Sequence, residues 1–276
     1  PDLVQVNGFR EAACDWGVPV VLVAHSCVGS WWRACRDGEA LPAEWAAYLD
    51  GVRAGIVAAD AVVAPTRSFL EEIAGLYGPL PRPTMIHNGR DLALPAGAGE
   101  GPRRPVILAA GRLWDEAKNV AALAQVAPRL PWPVLVAGEP PAEGGLQGVT
   151  HLGRLEPPDL LARMAEAEIF AAPARYEPFG LAVLEAAATG AALVLGDIPT
   201  LRELWDGAAR FVPPDDPEAL LATLRELIED APARRALQTA ARTRARAHGR
   251  ARMAEGYLAL YEELLAARRR AHGAAA

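Results

Sequence analysis

The feature that most constrains this chain is the alternation of short apolar, β-branched runs with longer stretches of helical period, sustained from one end to the other. Parallel strands need a crossover between them, so this alternation points to α/β architecture with helices on both sheet faces. All-α and all-β folds are excluded on the same ground. In the first third the strand candidates are Leu3 to Val6, Val18 to Ala24, Ala61 to Ala64 and Thr84 to Ile86, with helices near Trp45 to Ala58 and Arg67 to Tyr77. Pro65-Thr66 punctuates the change from strand to helix.

At 276 residues the chain is too long for one typical domain. Between Pro95 and Pro102 there are five prolines and glycines and no apolar period, so 95–105 reads as a linker between a first domain, 1–94, and a second, 106–245. Gly97, Gly99 and Gly101 imitate part of a dinucleotide fingerprint, but they neither follow a strand nor open a helix. The second domain repeats the alternation with six strands: Val106 to Ala110, Val134 to Ala137, Val149 to Leu152, Ile169 to Ala172, Ala192 to Leu195 and Ala209 to Val212. Helices near Val120 to Ala127, Pro158 to Ala167, Leu181 to Thr189 and Pro217 to Glu229 complete a doubly wound, Rossmann-like pattern. From 246 to 276 an amphipathic helix carries Met253, Tyr257, Leu260, Tyr261, Leu264 and Leu265. The run Arg242, Arg244, Arg246, Arg250 and Arg252 before it reads as a solvated helix face.

Charge and cysteine usage remove several functions. A formal charge of −6 gives no general surplus for neutralising nucleic-acid phosphates. The longest apolar run, Val18 to Ala24, is far short of the roughly 20 residues of a membrane-spanning helix. Three cysteines, Cys14, Cys27 and Cys35, form no CxxC pair, which suggests reduced thiols and a cytoplasmic setting. The sequence has no P-loop, no H-E-x-x-H and no D-x-D, so no metal site for a diphosphate is recognisable.

Ligands of open parallel sheets sit beyond the carboxyl ends of the strands, and three such loops carry unusual chemistry. Gly111-Arg112-Leu113-Trp114-Asp115-Glu116-Ala117-Lys118-Asn119 holds the chain's only lysine, the other 27 cations being arginines. Arg112 and Lys118 can converge on an anion such as a diphosphate, or can be surface groups paired with Asp115 and Glu116. In the second loop Pro178 and Gly180 precede a helix whose free amides suit an anion, and Glu177 and Glu185 would flank it. The alternatives there are a capping acid for Glu177 and a solvated helix face for Glu185. The third is His25, at the end of the most apolar strand of the first domain, able to donate a hydrogen bond or carry a proton near neutral pH. Ser26 and Cys27 beside it lack the G-x-S-x-G elbow of a hydrolase nucleophile.

G-R-L-x-x-x-x-K-N at Gly111 to Asn119 and E-P-F-G-L-x-x-L-E-A at Glu177 to Ala186 resemble the retaining glycosyltransferases of the GT-B fold, family four, also called group 1. Weaker matches are His25, Ile86-His87-Asn88-Gly89-Arg90-Asp91, Gly153-Arg154-Leu155 and Gly196 to Glu203. The resemblance implies two Rossmann-like domains facing each other across a cleft, with the donor on the C-terminal one and the acceptor on the N-terminal one. It implies that Gly111, Arg112 and Lys118 bind the donor diphosphate, that Glu177 meets the transferred sugar with the Phe179, Gly180 and Leu181 amides alongside, and that Glu185 holds the ribose. Arg154 and Leu155 would lie beside the base, and His25 would serve the acceptor side. Such enzymes transfer a hexose from a nucleoside-diphosphate sugar to a glycan, lipid or small-molecule acceptor, with retention and without a metal or other cofactor. The family also begins with a strand and a Gly-rich loop not found here. The expectation is an N-terminally truncated chain lacking roughly half of the acceptor domain, its terminal helix packing back on what is left and its activity impaired. Contact with the inner face of a membrane is compatible with this reading, and nucleic acid is not an expected partner. Two other functions share the shape: a nucleotide-sugar epimerase or hydrolase, and a nucleotide-sugar-binding fragment without turnover.

Overall fold

The computed structural model describes residues 1–36, 38–91, 102–139 and 146–274. They form two compact units, one made of Pro1–Gly89 together with Arg250–Ala276, the other of Arg90–Gly249. The division therefore falls at Gly89 and Gly249 and not at residues 94 and 245. Arg90 already belongs to the second unit, where its backbone N–H donates to His248 O at 3.1 Å. Most of the linker expected at 95–105 lies outside the described residues, and its Arg104 and Pro105 are strand.

The first unit runs β1 (Val4–Val6), α1 (Phe9–Ala12), β2 (Val20–Val23), α2 (Val28–Cys35), α3 (Ala46–Ala58), β3 (Ala61–Ala64), α4 (Arg67–Tyr77) and β4 (Thr84–Met85). These strands form one parallel sheet in the order β1-β2-β3-β4. Every residue of β2 and β3 is buried, which is why both read as unbroken apolar runs and not as an alternation. Thr66 caps α4 by accepting from the Phe69 N–H at 3.3 Å, and Gly78 at φ +96° ends it.

The second unit runs β5 (Arg104–Ala110), α5 (Val120–Val126), β6 (Val134–Ala137), β7 (Thr150–Gly153), α6 (Pro157–Glu166), β8 (Ala167–Ala172), α7 (Leu181–Thr189), β9 (Ala192–Gly196), α8 (Pro199–Trp205), β10 (Ala209–Val212), α9 (Pro217–Glu229) and α10 (Ala231–Ala245). The last helix, α11 (Arg250–Ala274), returns to the first unit. There Leu260 and Leu264 cluster with Val21, Val23, Ala61, Val63 and Ile86.

The second sheet is parallel throughout, in the order β10-β9-β8-β5-β6-β7. Its first strand in sequence, β5, thus lies between β6 and β8, and the winding reverses there. This is the Rossmann order, with a switch point between β5 and β8. Alternate residues of these two strands serve opposite cores. Leu108 and Phe170 pack with Leu184, Leu193 and Trp205, whereas Ile107 and Ile169 pack with Val194, Leu224 and Leu227.

Sequence reading misses α1, α2, α8 and α10. The last of these has no apolar stripe to reveal it, being rich in alanine and arginine. It is held by guanidinium groups on backbone carbonyls: Arg234 on Leu227 O, Arg242 on Thr189 O, and Arg244 on Leu204 O and Asp206 O. Arg242 and Arg244 are therefore docking groups, which corrects the expectation of a solvated arginine face. Each satisfies carbonyls at the ends of other elements, where no helix partner remains.

Candidate functional site

The switch point is built by the loops that leave β5, β6, β8 and β10. At the carboxyl ends of β5, β6 and β7 the Gly111 N–H donates to Ala137 O at 3.0 Å and the Gly138 N–H to Gly153 O at 2.9 Å. Gly138 has φ +145°, and a Cβ there would lie 1.9 Å from the Gly111 carbonyl oxygen, so only glycine fits. Sequence reading passed over Gly138, although a glycine closing a strand next to a ligand loop is a signal of close backbone approach.

Beyond Gly111 the loop is organised by the buried Asp115. One carboxylate oxygen accepts the Ala117 N–H at 3.0 Å, and its carbonyl accepts the Lys118 N–H at 2.9 Å. Asn119 follows in the left-handed region at φ 52°, a conformation Asn tolerates better than most residues. Its buried amide donates to Pro173 O at 2.9 Å and Pro214 O at 2.8 Å, and its Oδ1 accepts from Arg175 Nη1. The Arg175 N–H in turn donates to Ala117 O at 2.8 Å. Three strand-end loops are thereby tied at one point, with the backbone of Lys118 fixed between them. Asn119 and Arg175 lay inside the motifs read from the sequence, but their structural work needs all three loops and is invisible in any one of them.

This tie brings Lys118 to Glu177. The ammonium Nζ lies 2.6 Å from Oε2, with side chains only 22% and 20% exposed. The other Glu177 oxygen accepts weakly from the Phe179 N–H at 3.4 Å, and the Thr200 hydroxyl donates to Glu177 O at 2.6 Å. Gly180, at φ +86°, then turns the chain into α7, and no side chain among the described residues caps that helix. The first amides of α7 have no carbonyl within the helix to bond. Phe179 itself is buried beside the His248 ring, so its backbone and not its ring borders the loop.

Arg112 takes a different carboxylate. Its Nε and Nη2 donate to Asp115 Oδ2 at 3.1 and 2.6 Å, and its guanidinium lies over the Trp114 ring. The surface-pair alternative thus describes Arg112, while Lys118 departs from it by reaching across to the β8 loop. Glu185 is no solvated face. It is buried on α7 and ion-paired with Arg90. Burial pushes its carboxyl up from the ordinary range and the Arg90 charge opposes that shift. Arg90 stood in a recognised motif without a role.

Two expected groups lie elsewhere. Arg154, exposed, and Leu155, half-buried, follow β7 at the sheet edge, two strands from β5. His25 belongs to the first unit, where its Nε2 lies 3.1 Å from Asn7 Oδ1. Burial lowers its pKa, which keeps the ring neutral at physiological pH. Among the described residues no group of three or more His, Cys, Asp or Glu is arranged to hold a metal ion, and no helix is long and apolar enough to cross a membrane.

Residues 104–230, which include all of the switch-point loops, match the family described as Glycosyl transferases group 1. The chain is 33% identical over 271 residues to a glycogen synthase of Mycobacterium tuberculosis, covering 88% of this chain and 64% of that protein. It is 29% identical over 303 residues to a D-inositol 3-phosphate glycosyltransferase of Kineococcus radiotolerans, covering 94% and 69%. Among solved structures it resembles sucrose-phosphate synthase from Thermosynechococcus elongatus with a TM-score of 0.81 at 22% identity, covering 96% of this chain and 74% of that one. The Anabaena protein HepE in complex with UDP-glucose superposes with a TM-score of 0.71 at 17% identity, covering 95% and 79%. These likenesses establish the GT-B type of fold with its two Rossmann-like units. Through residues 104–230, this chain belongs to the glycosyl transferases group 1.

Proposed function

We propose that the protein to which this chain belongs is a retaining glycosyltransferase that moves a hexose from a nucleoside-diphosphate sugar to a glycan, lipid or small-molecule acceptor. The observation that carries the proposal is the Lys118–Glu177 pair beside the uncapped start of α7, at the switch point of a Rossmann sheet. HepE, which shares this fold, was solved with UDP-glucose, a donor of the proposed class.

The chemistry follows from donor counting. An ammonium has three N–H groups and Lys118 gives one to Glu177, leaving two for phosphate oxygens. Arg112 gives two of its five to Asp115 and is 61% exposed, so the remainder are available to the same diphosphate. With the amides of Gly180, Leu181 and Ala182, these groups meet the charge that grows on the diphosphate as its bond to the anomeric carbon breaks. Side chains and backbone dipoles thus take the place of a metal in the proposed reaction. Glu177 accepts hydrogen bonds from the sugar hydroxyls and is held at its carbonyl by Thr200. Glu185 holds the ribose, Arg154 and Leu155 border the base, and His25 is assigned to the acceptor half of the reaction.

Incubation with labelled uridine, guanosine and adenosine diphosphate sugars tests the proposal. Transfer with retained anomeric configuration supports it; an isomerised or hydrolysed nucleotide sugar without transfer refutes it. Replacing Glu185 by Ala is expected to weaken donor binding about tenfold while changing kcat less than about threefold, because a ribose contact differs little between ground and transition states. A pure kcat defect would contradict the ribose assignment.

A further inference from the structure

The inference concerns Arg90 and rests on the reading that Glu185 holds the donor's ribose. Glu185 sits in the second turn of α7 between the buried Leu184 and Ala186, and is itself buried. A carboxylate placed there needs a partner in order to stay ionised, since desolvation favours the protonated form. Among the described residues Arg90 supplies the charge: its Nη1 donates to Glu185 Oε1, and its own backbone is anchored on His248 O at 3.1 Å. Arg90 stands 95 positions before Glu185 and just before the residues that lead into β5. One end of this contact is tied to the loop after α10 and the other is fixed in a core helix, so the geometry is set by the fold and not by a mobile surface pair.

We propose that Arg90 is a positioning residue of the donor site, holding Glu185 ionised and in one rotamer so that it accepts both hydroxyls of a nucleoside diphosphate's ribose. A protonated Glu185 would present one hydroxyl donor and lose acceptor capacity, which suits a vicinal diol less well. Arg90 is 41% exposed on its side chain and does not itself need to touch the nucleotide.

The test is titration calorimetry of the full chain with UDP, GDP, ADP and inorganic pyrophosphate as probes. Pyrophosphate lacks a ribose and reports the Lys118 and Arg112 end of the site alone. For the preferred nucleoside diphosphate, Arg90→Met is expected to weaken binding about tenfold while pyrophosphate affinity changes less than about twofold. Arg90→Lys should restore most of the loss, and Arg90→Met in a Glu185→Gln background should cost less than about twofold, since a neutral amide needs no counter-charge. Unchanged nucleotide affinity in Arg90→Met overturns the proposal. Tighter nucleotide binding also overturns it, because Arg90 would then be competing with the ribose for Glu185. An equal loss for pyrophosphate overturns it too, placing Arg90 at the diphosphate or in the fold. If the unmodified chain binds neither pyrophosphate nor any of the three nucleotides, the donor-site reading falls and this inference falls with it.

Discussion

Replacing Lys118 by Ala is expected to lower kcat for sugar transfer by about a hundredfold to a thousandfold, the scale of removing one preorganised charge donor, ~3–4 kcal/mol. The ammonium is the compact cation closest to the start of α7, and its pairing partner Glu177 belongs to the loop that meets the sugar. Removing it takes away a charge that strengthens its interaction as the diphosphate departs, so the loss belongs in kcat and only secondarily in KM. It also leaves Glu177 as an unopposed carboxylate 20% exposed, facing a site that must receive an anion. Lys118→Arg should recover little, since a planar guanidinium cannot occupy the place of a three-donor point charge fixed by the Asn119 tie. Steady-state kinetics with the donor identified by the screen, alongside a thermal melt to show that folding is retained, checks this. A kcat within about threefold of the unmodified protein would remove Lys118 from the mechanism.

Gly138→Ala is expected to destabilise the second unit by about 3 kcal/mol and to weaken pyrophosphate binding at the same time. The added Cβ would stand 1.9 Å from the Gly111 carbonyl oxygen, a backbone atom held by the N–H bond from Gly111 to Ala137 O. Side-chain rotation cannot relieve such a collision, and the positive φ of +145° adds strain for any L side chain. The loop that starts at Gly111 must shift, carrying the Lys118 backbone with it. For a unit of this size that loss corresponds to a fall in Tm of roughly 6–12 °C. Differential scanning calorimetry gives the first readout and pyrophosphate titration the second. A melting temperature within two or three degrees of the unmodified protein, written as about 1 kcal/mol or less, would show that the β5 and β6 ends yield more easily than their hydrogen bonds suggest.

The strands were legible because fully covered parallel strands are unbroken apolar runs, and β3, β6 and β10 have the bounds that their runs imply. The helices found were those with caps or stripes, such as α4 behind Thr66 and α9 behind Asp216 and Pro217. The short α1 and the stripe-free α10 were not legible, because neighbours and carbonyl-seeking arginines hold them and not their own periodicity. Within the candidate site, the residue types in the two long motifs pointed to an anion and a polyol, but their pairing did not show in the order of residues. That Lys118 meets Glu177 whereas Arg112 stays with Asp115 depends on Asn119 linking loops that are 54 and 95 positions away from it. Arg90 and Glu185, equally distant in sequence, needed the same three-dimensional information.

The return of α11 to the first unit fixes an order of events during synthesis. When the ribosome has released residues 90–249, the second unit has every strand and helix it needs, whereas the sheet of the first still awaits Leu260 and Leu264. Folding along the nascent polypeptide therefore runs against the usual amino-to-carboxyl sequence, with the earlier half left partly open until the final segment emerges. Chaperone capture of nascent chains stalled before and after α11 would find its target in Val21, Val23 and Val63, which are hidden only once translation is finished.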